Sequence, residues 1–198
     1  MRYLALGDSY TIGEGVADAQ RWPAQLAARL RREGIAIDEP QIVATTGWTT
    51  DELSVAMDAT LFTPPYDLVS LLIGVNNQYR GRSVDEYQGE FQRLLDRAVE
   101  LAGARRERVF VLSIPDWGVT AFGRQSGRDI AQIAHELDIY NAAARDLCTI
   151  RKVAWVDITP LSRAWPGQVA ADGLHPSGEQ YGLWTAEAWP TVHSALTR

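Results

Sequence analysis

The chain has 198 residues, 46% of them hydrophobic and 22% charged, the size and composition of one globular domain, residues 1–198, with a sizeable core. A formal net charge of -6 and a pI near 5.1 argue against a nucleic-acid or anionic-membrane partner, because counterion release needs a basic face. The single cysteine, Cys148, excludes an intramolecular disulfide. A chain without disulfides fits a reducing compartment, so a cytoplasmic protein is the expectation. The first apolar run is cut by Gly7-Asp8, with no hydrophobic region or cleavage site behind it, so no secretory signal is expected. No segment approaches the ~20 apolar residues of a membrane span.

In chain order, Tyr3 to Leu6 reads as a buried strand, Pro23 to Glu33 as a helix and Gln41 to Ala44 as a second strand. Thr49 and Glu52 form a capping-box pair opening a helix from Thr50 to Met57. After the loop Phe62-Thr63-Pro64-Pro65 comes a third strand, Leu68 to Ile73. Ser83 and Glu86 cap the next helix, whose apolar face runs through Val84, Tyr87, Phe91, Leu94, Leu95, Ala98, Leu101 and Ala102. Val109 to Ile114 is the fourth strand, followed by a helix from Asp129 to Cys148 with Ile130, Ile133, Leu137, Tyr140, Ala144 and Cys148 on one face. Val153 to Val156 and Ser177 to Leu196 complete the series as strand and helix. Wholly apolar strands alternating with helices predict an α/β fold, a mostly parallel sheet of about five strands covered on both sides.

Function gathers where loops leave the carboxyl ends of such strands. Those positions hold Gly7-Asp8-Ser9-Tyr10, Thr45-Thr46-Gly47-Trp48, Gly74-Val75-Asn76-Asn77, Pro115-Asp116-Trp117-Gly118 and Asp172-Gly173-Leu174-His175-Pro176. A hydroxyl, an imidazole, a carboxylate, glycines and an amide are the parts for acyl transfer. A serine hydroxyl is a poor nucleophile without a base, and the base needs a third group to hold its tautomer. Ser9, His175 and Asp172 fit those catalytic roles. Developing oxyanion charge needs preset donors, each contributing roughly 2.7 to 4 kcal/mol. The Ser9 and Gly47 backbone N–H groups and the Asn76 side chain are the candidates.

Gly7-Asp8-Ser9, Gly47, Gly74-Val75-Asn76-Asn77 and Asp172-Gly173-Leu174-His175-Pro176, in this order within a match from Tyr3 to about Tyr181, resemble the four blocks of the SGNH or GDSL-type hydrolases. The resemblance implies a three-layer α/β/α sandwich, flavodoxin-like, and esterase or lipase chemistry without metal or cofactor. It also implies Ser9 as nucleophile, His175 as base, Asp172 as its orienting group, and Ser9, Gly47 and Asn76 as the oxyanion hole. Tyr10 stands where the family has leucine, and Asn77 where aspartate is common. The stretches Ile73 to Arg80 and Ser113 to Gly118 are similar to a soluble bacterial, lysophospholipase-like branch.

The expected substrate is a small or single-chain acyl ester, with acyl transfer or lysophospholipase or thioesterase activity as alternatives at the same residues. Tyr10, Trp48, Asn77, Tyr79 and Trp117 are candidate substrate contacts, with core or rim packing the competing reading for the aromatics. Asp172 and His175 are too few for a metal, and no further ligands at zinc spacing complete them. Asp8 and Asp116 read as loop formers, His135 and His193 as structural or solvated, and Cys148 as packing. Gly13-Glu14-Gly15 lacks the dinucleotide fingerprint, so a nucleotide-binding module is disfavoured. The intact set also disfavours a non-catalytic relative.

Overall fold

The computed structural model describes residues 1–197. Five strands, β1 (Tyr3–Gly7), β2 (Gln41–Ala44), β3 (Leu68–Leu72), β4 (Val109–Leu112) and β5 (Ala154–Val156), form one sheet in the order β2-β1-β3-β4-β5, every pair parallel. β1, β3 and β4 are buried along their whole length, as expected of central strands with helices on both faces. Among the described residues nine α-helices accompany them, seven between strands and two after β5: α1 (Ser9–Ile12), α2 (Trp22–Arg32), α3 (Thr50–Ala59), α4 (Val75–Tyr79), α5 (Val84–Leu101), α6 (Ala121–Gln125), α7 (Ile130–Arg151), α8 (Thr159–Ala164) and α9 (Gly178–Thr197). Among the described residues no helix is long and apolar enough to cross a membrane.

The register aligns Gly7 with Ala44 on one side and Leu72 on the other. The segments that follow β1, β2 and β3 therefore emerge side by side. Gly7 is required at that edge, because a Cβ would fall 2.5 Å from the Leu72 carbonyl oxygen and 2.2 Å from Thr11 Oγ1.

The long elements follow the apolar periodicity, and their ends differ for local reasons. β4 stops at Leu112 because the Ile114 N–H leaves the sheet to donate to Asn141 Oδ1 at 2.8 Å. β5 begins at Ala154 because the Val153 N–H closes the end of α7 on the Cys148 carbonyl at 2.9 Å. α7 continues past Cys148 to Arg151, which forms a two-point pair with Asp96 at 2.7 and 3.0 Å. Its first expected apolar contact, Ile130, is exposed. Cys148 is fully buried, and burial pushes its thiol up to about 12. His135 and His193 lie exposed on α7 and α9.

Candidate active site

Ser9 opens the single-turn helix α1 directly beyond β1. Asp8 caps that turn, its Oδ1 accepting from the Tyr10 N–H at 3.0 Å, and Gly13 closes it in the left-handed conformation. Asp8 is fully buried, and burial outweighs its hydrogen bonds to push the carboxyl up to about 7.

The other half of the site comes from the loop before α9. Asp172 Oδ1 accepts from the Leu174 and His175 backbone N–H groups at 2.9 and 3.0 Å, while its Oδ2 lies 2.6 Å from His175 Nδ1. Partial burial raises the Asp172 pKa, but the His175 and backbone hydrogen bonds prevail and hold the carboxyl below its usual range. Turning back on itself, the loop pairs Val169 with Pro176 as an isolated bridge, and the Ala170 N–H donates to the His175 carbonyl at 2.7 Å. The Asp172–His175 pair is thus built locally. With Nδ1 engaged, Nε2 is the nitrogen left for a reacting proton.

A cavity of about 230 Å³ brings the two halves together. Ser9, Tyr10, Val75 and Asn76 line it from α1 and α4, and Tyr79, Trp117, Phe122 and Leu174 form its mostly apolar remainder. The His175 ring lies beside this space, packed edge-on to Tyr10 with centroids 5.8 Å apart. Among the described residues no hydrogen bond joins Ser9 to His175.

The candidate oxyanion donors are differently engaged. Asn76 Nδ2 donates one hydrogen to the Trp48 carbonyl at 2.9 Å, which orients the amide and leaves its second hydrogen for a ligand. Gly47 has φ +88°, a conformation that strains any other residue, and its carbonyl accepts from Arg80 Nη2 at 2.7 Å. Gly47 is tied to the site through these neighbours and does not line the cavity.

Two expected substrate contacts are placed elsewhere. Asn77 is fully buried and committed to α3, its Oδ1 accepting from the Thr50 N–H at 3.1 Å and its Nδ2 donating to Thr50 Oγ1 at 2.6 Å. The Trp48 side chain is half-buried against the hydrophobic core, outside the cavity lining. Tyr10 and Trp117 serve both readings, as buried core residues that also wall the cavity. Asp116 is a loop former, accepting from the Gly118 N–H at 2.9 Å and pairing with Arg163 at 2.9 Å. Sequence reasoning missed Leu174, Phe122 and Arg80. Leu174 was findable from its place between Gly173 and His175, whereas Phe122 lies far from every strand end.

The family model described as "GDSL-like Lipase/Acylhydrolase family" matches residues 5–183. No curated protein matches the chain. Among solved structures, TesA superposes with a TM-score of 0.77 at 20% identity, covering 99% of this chain and 100% of that one. The psychrotrophic esterase EstA from Pseudoalteromonas sp., inhibited by monoethylphosphonate, gives 0.74 at 16% identity, covering 100% and 99%. Axe2, an acetylxylan esterase from Geobacillus stearothermophilus, gives 0.74 at 17% identity, covering 96% and 93%. At these identities the superpositions establish the shared three-layer α/β/α fold. With the family model running through nearly the whole chain, this protein belongs to the GDSL-like lipase/acylhydrolase family and is a carboxylic ester hydrolase.

Proposed function

We propose that the protein is a serine esterase acting on short-chain acyl or acetyl esters through an acyl-enzyme intermediate. Ser9 Oγ attacks the ester carbonyl carbon while His175 Nε2 takes its proton. Asp172 holds Nδ1 protonated and stabilises the imidazolium that forms. The carbonyl oxygen, now an oxyanion, is received by the Ser9 and Gly47 backbone N–H groups and the free Asn76 amide hydrogen. Collapse returns the proton from His175 to the departing alkoxide. A water molecule then repeats the sequence on the Ser9 ester and releases the acid. This chemistry needs neither metal nor cofactor.

The observation that carries this reading is the Asp172–His175 contact at 2.6 Å, set in a loop whose Leu174 shares the cavity with Ser9 and Asn76. The small, mostly apolar cavity supports a short acyl group. The test is hydrolysis of p-nitrophenyl esters from two to sixteen carbons by the parent and by Ser9→Ala. The expected result is preference for the short esters and loss of nearly all turnover in the folded variant. Unchanged turnover in Ser9→Ala sinks the assignment.

A further inference from the structure

Among the described residues, Tyr79 alone lines both of two neighbouring cavities. One is the Ser9 cavity of about 230 Å³, and the other is a more polar space of about 520 Å³ edged by Arg128, Gln132 and Glu136. Tyr79 is 40% exposed, a setting in which an unrestrained side chain samples several rotamers. Here it is held by two neighbours. Trp117 packs edge-on against it, centroids 5.4 Å apart, and the Arg128 guanidinium lies 4.5 Å from its centroid.

Both neighbours are themselves anchored. Trp117 is buried, and its Nε1–H donates to Gln78 Oε1 at 2.9 Å; Gln78 in turn donates to Glu136 at 2.6 Å. Arg128 Nη2 donates to the Tyr79 carbonyl at 2.8 Å, and its guanidinium lies 5.7 Å from the Trp117 ring. One cation therefore grips both the backbone and the ring of Tyr79.

We propose that Tyr79 is the partition that sets the acyl length accepted at Ser9, and that Arg128 is the latch that keeps it closed. The proposal rests on the esterase reading above. With the ring in place, an alkyl chain has only the smaller apolar space, and its far end meets an aromatic wall backed by a cation. Without the ring, the one residue common to both linings no longer separates the two spaces, and a longer chain has somewhere to go.

The experiment compares kcat/KM for p-nitrophenyl octanoate with that for the acetate, in the parent, Tyr79→Ala, Tyr79→Phe and Arg128→Gln. The octanoate-to-acetate ratio is expected to rise about tenfold in Tyr79→Ala and about threefold in Arg128→Gln. Tyr79→Phe, which keeps the ring between its neighbours, is expected to hold the ratio within about twofold. Thermal unfolding verifies that each variant is folded, and should Tyr79→Ala fail that check, Arg128→Gln decides the question through an exposed residue. An unchanged ratio in the folded Tyr79→Ala, or in Arg128→Gln when it alone decides, overturns the partition while leaving Ser9-dependent hydrolysis in the parent intact. Hydrolysis that survives Ser9→Ala overturns the partition and the esterase reading together.

Discussion

The guanidinium of Arg80 donates to the Gly47 carbonyl at 2.7 Å, and the same side chain pairs with Glu52 at 3.3 Å. Glu52 also accepts from the Thr49 N–H at 2.8 Å, so the turn carrying Gly47 is tied to the start of α3. Arg80 is a positioning residue for a proposed oxyanion donor. Arg80→Ala is expected to lower kcat on p-nitrophenyl acetate about tenfold while KM moves little, with Arg80→Lys recovering only part of the loss. Steady-state kinetics decide it, and a change confined to KM would place Arg80 in substrate binding instead.

The Asp172–His175 contact has its own signature. Asp172→Asn keeps an oxygen for the backbone donors yet presents the wrong partner to Nδ1, so kcat is expected to fall by about 10³ to 10⁴ with little loss of stability. Stopped-flow hydrolysis together with thermal unfolding separates this from simple misfolding.

Asn76 and Asn77 are adjacent in sequence and opposite in consequence. Asn76→Ala is expected to lower kcat by about 10² to 10³ without a comparable loss of stability, because Asn76 lines the cavity and the proposed mechanism uses its second amide hydrogen as an oxyanion donor. Asn77→Ala strands the buried Thr50 N–H, and the expected cost is about 1 to 3 kcal/mol in urea unfolding. Finding the two effects exchanged would reverse the assignments.

Asp8 gives a pH prediction with a defined sign. Its folded carboxyl is pushed up to about 7 from 3.8, so between those values the folded state keeps a proton that the unfolded state has lost. Stability should therefore fall as pH rises from about 4 to about 7 and level off above, by on the order of 4 kcal/mol at most. Urea midpoints measured across that range test it. Asp8→Asn, which has no charge to bury, should flatten the profile, and an identical slope in the variant would assign the dependence to another group.

The elements that could be read from the sequence are those whose burial leaves a pattern. Leu68–Leu72 is apolar at nearly every position because β3 is covered on both faces, and Tyr87, Phe91 and Leu94 mark the buried stripe of α5. The helices α1, α4, α6 and α8 have six residues or fewer, too few turns to show a period. At the site, the Asp172–His175 contact and the place of Ser9 on the cavity wall could be read from the sequence, because the expected chemistry demands particular residue types. Asn77 was misplaced since an amide that clamps a neighbouring helix and one that meets a ligand look alike in sequence. Arg80 gave no signal, as its role depends on a carbonyl reached only through the fold.

The strand order has a consequence for synthesis. Gly7, Ala44 and Leu72 end on three adjacent strands, so the surroundings of Ser9 and Asn76 come from the first part of the chain. His175 follows β5 at the opposite edge, and its loop is carried back through α8, where Ser162 accepts from the Asp116 N–H at 2.9 Å and Arg163 pairs with Asp116. A chain emerging from the ribosome presents Ser9 long before His175. On the proposed chemistry, it is expected to be inert toward esters until all but helix α9 has been made.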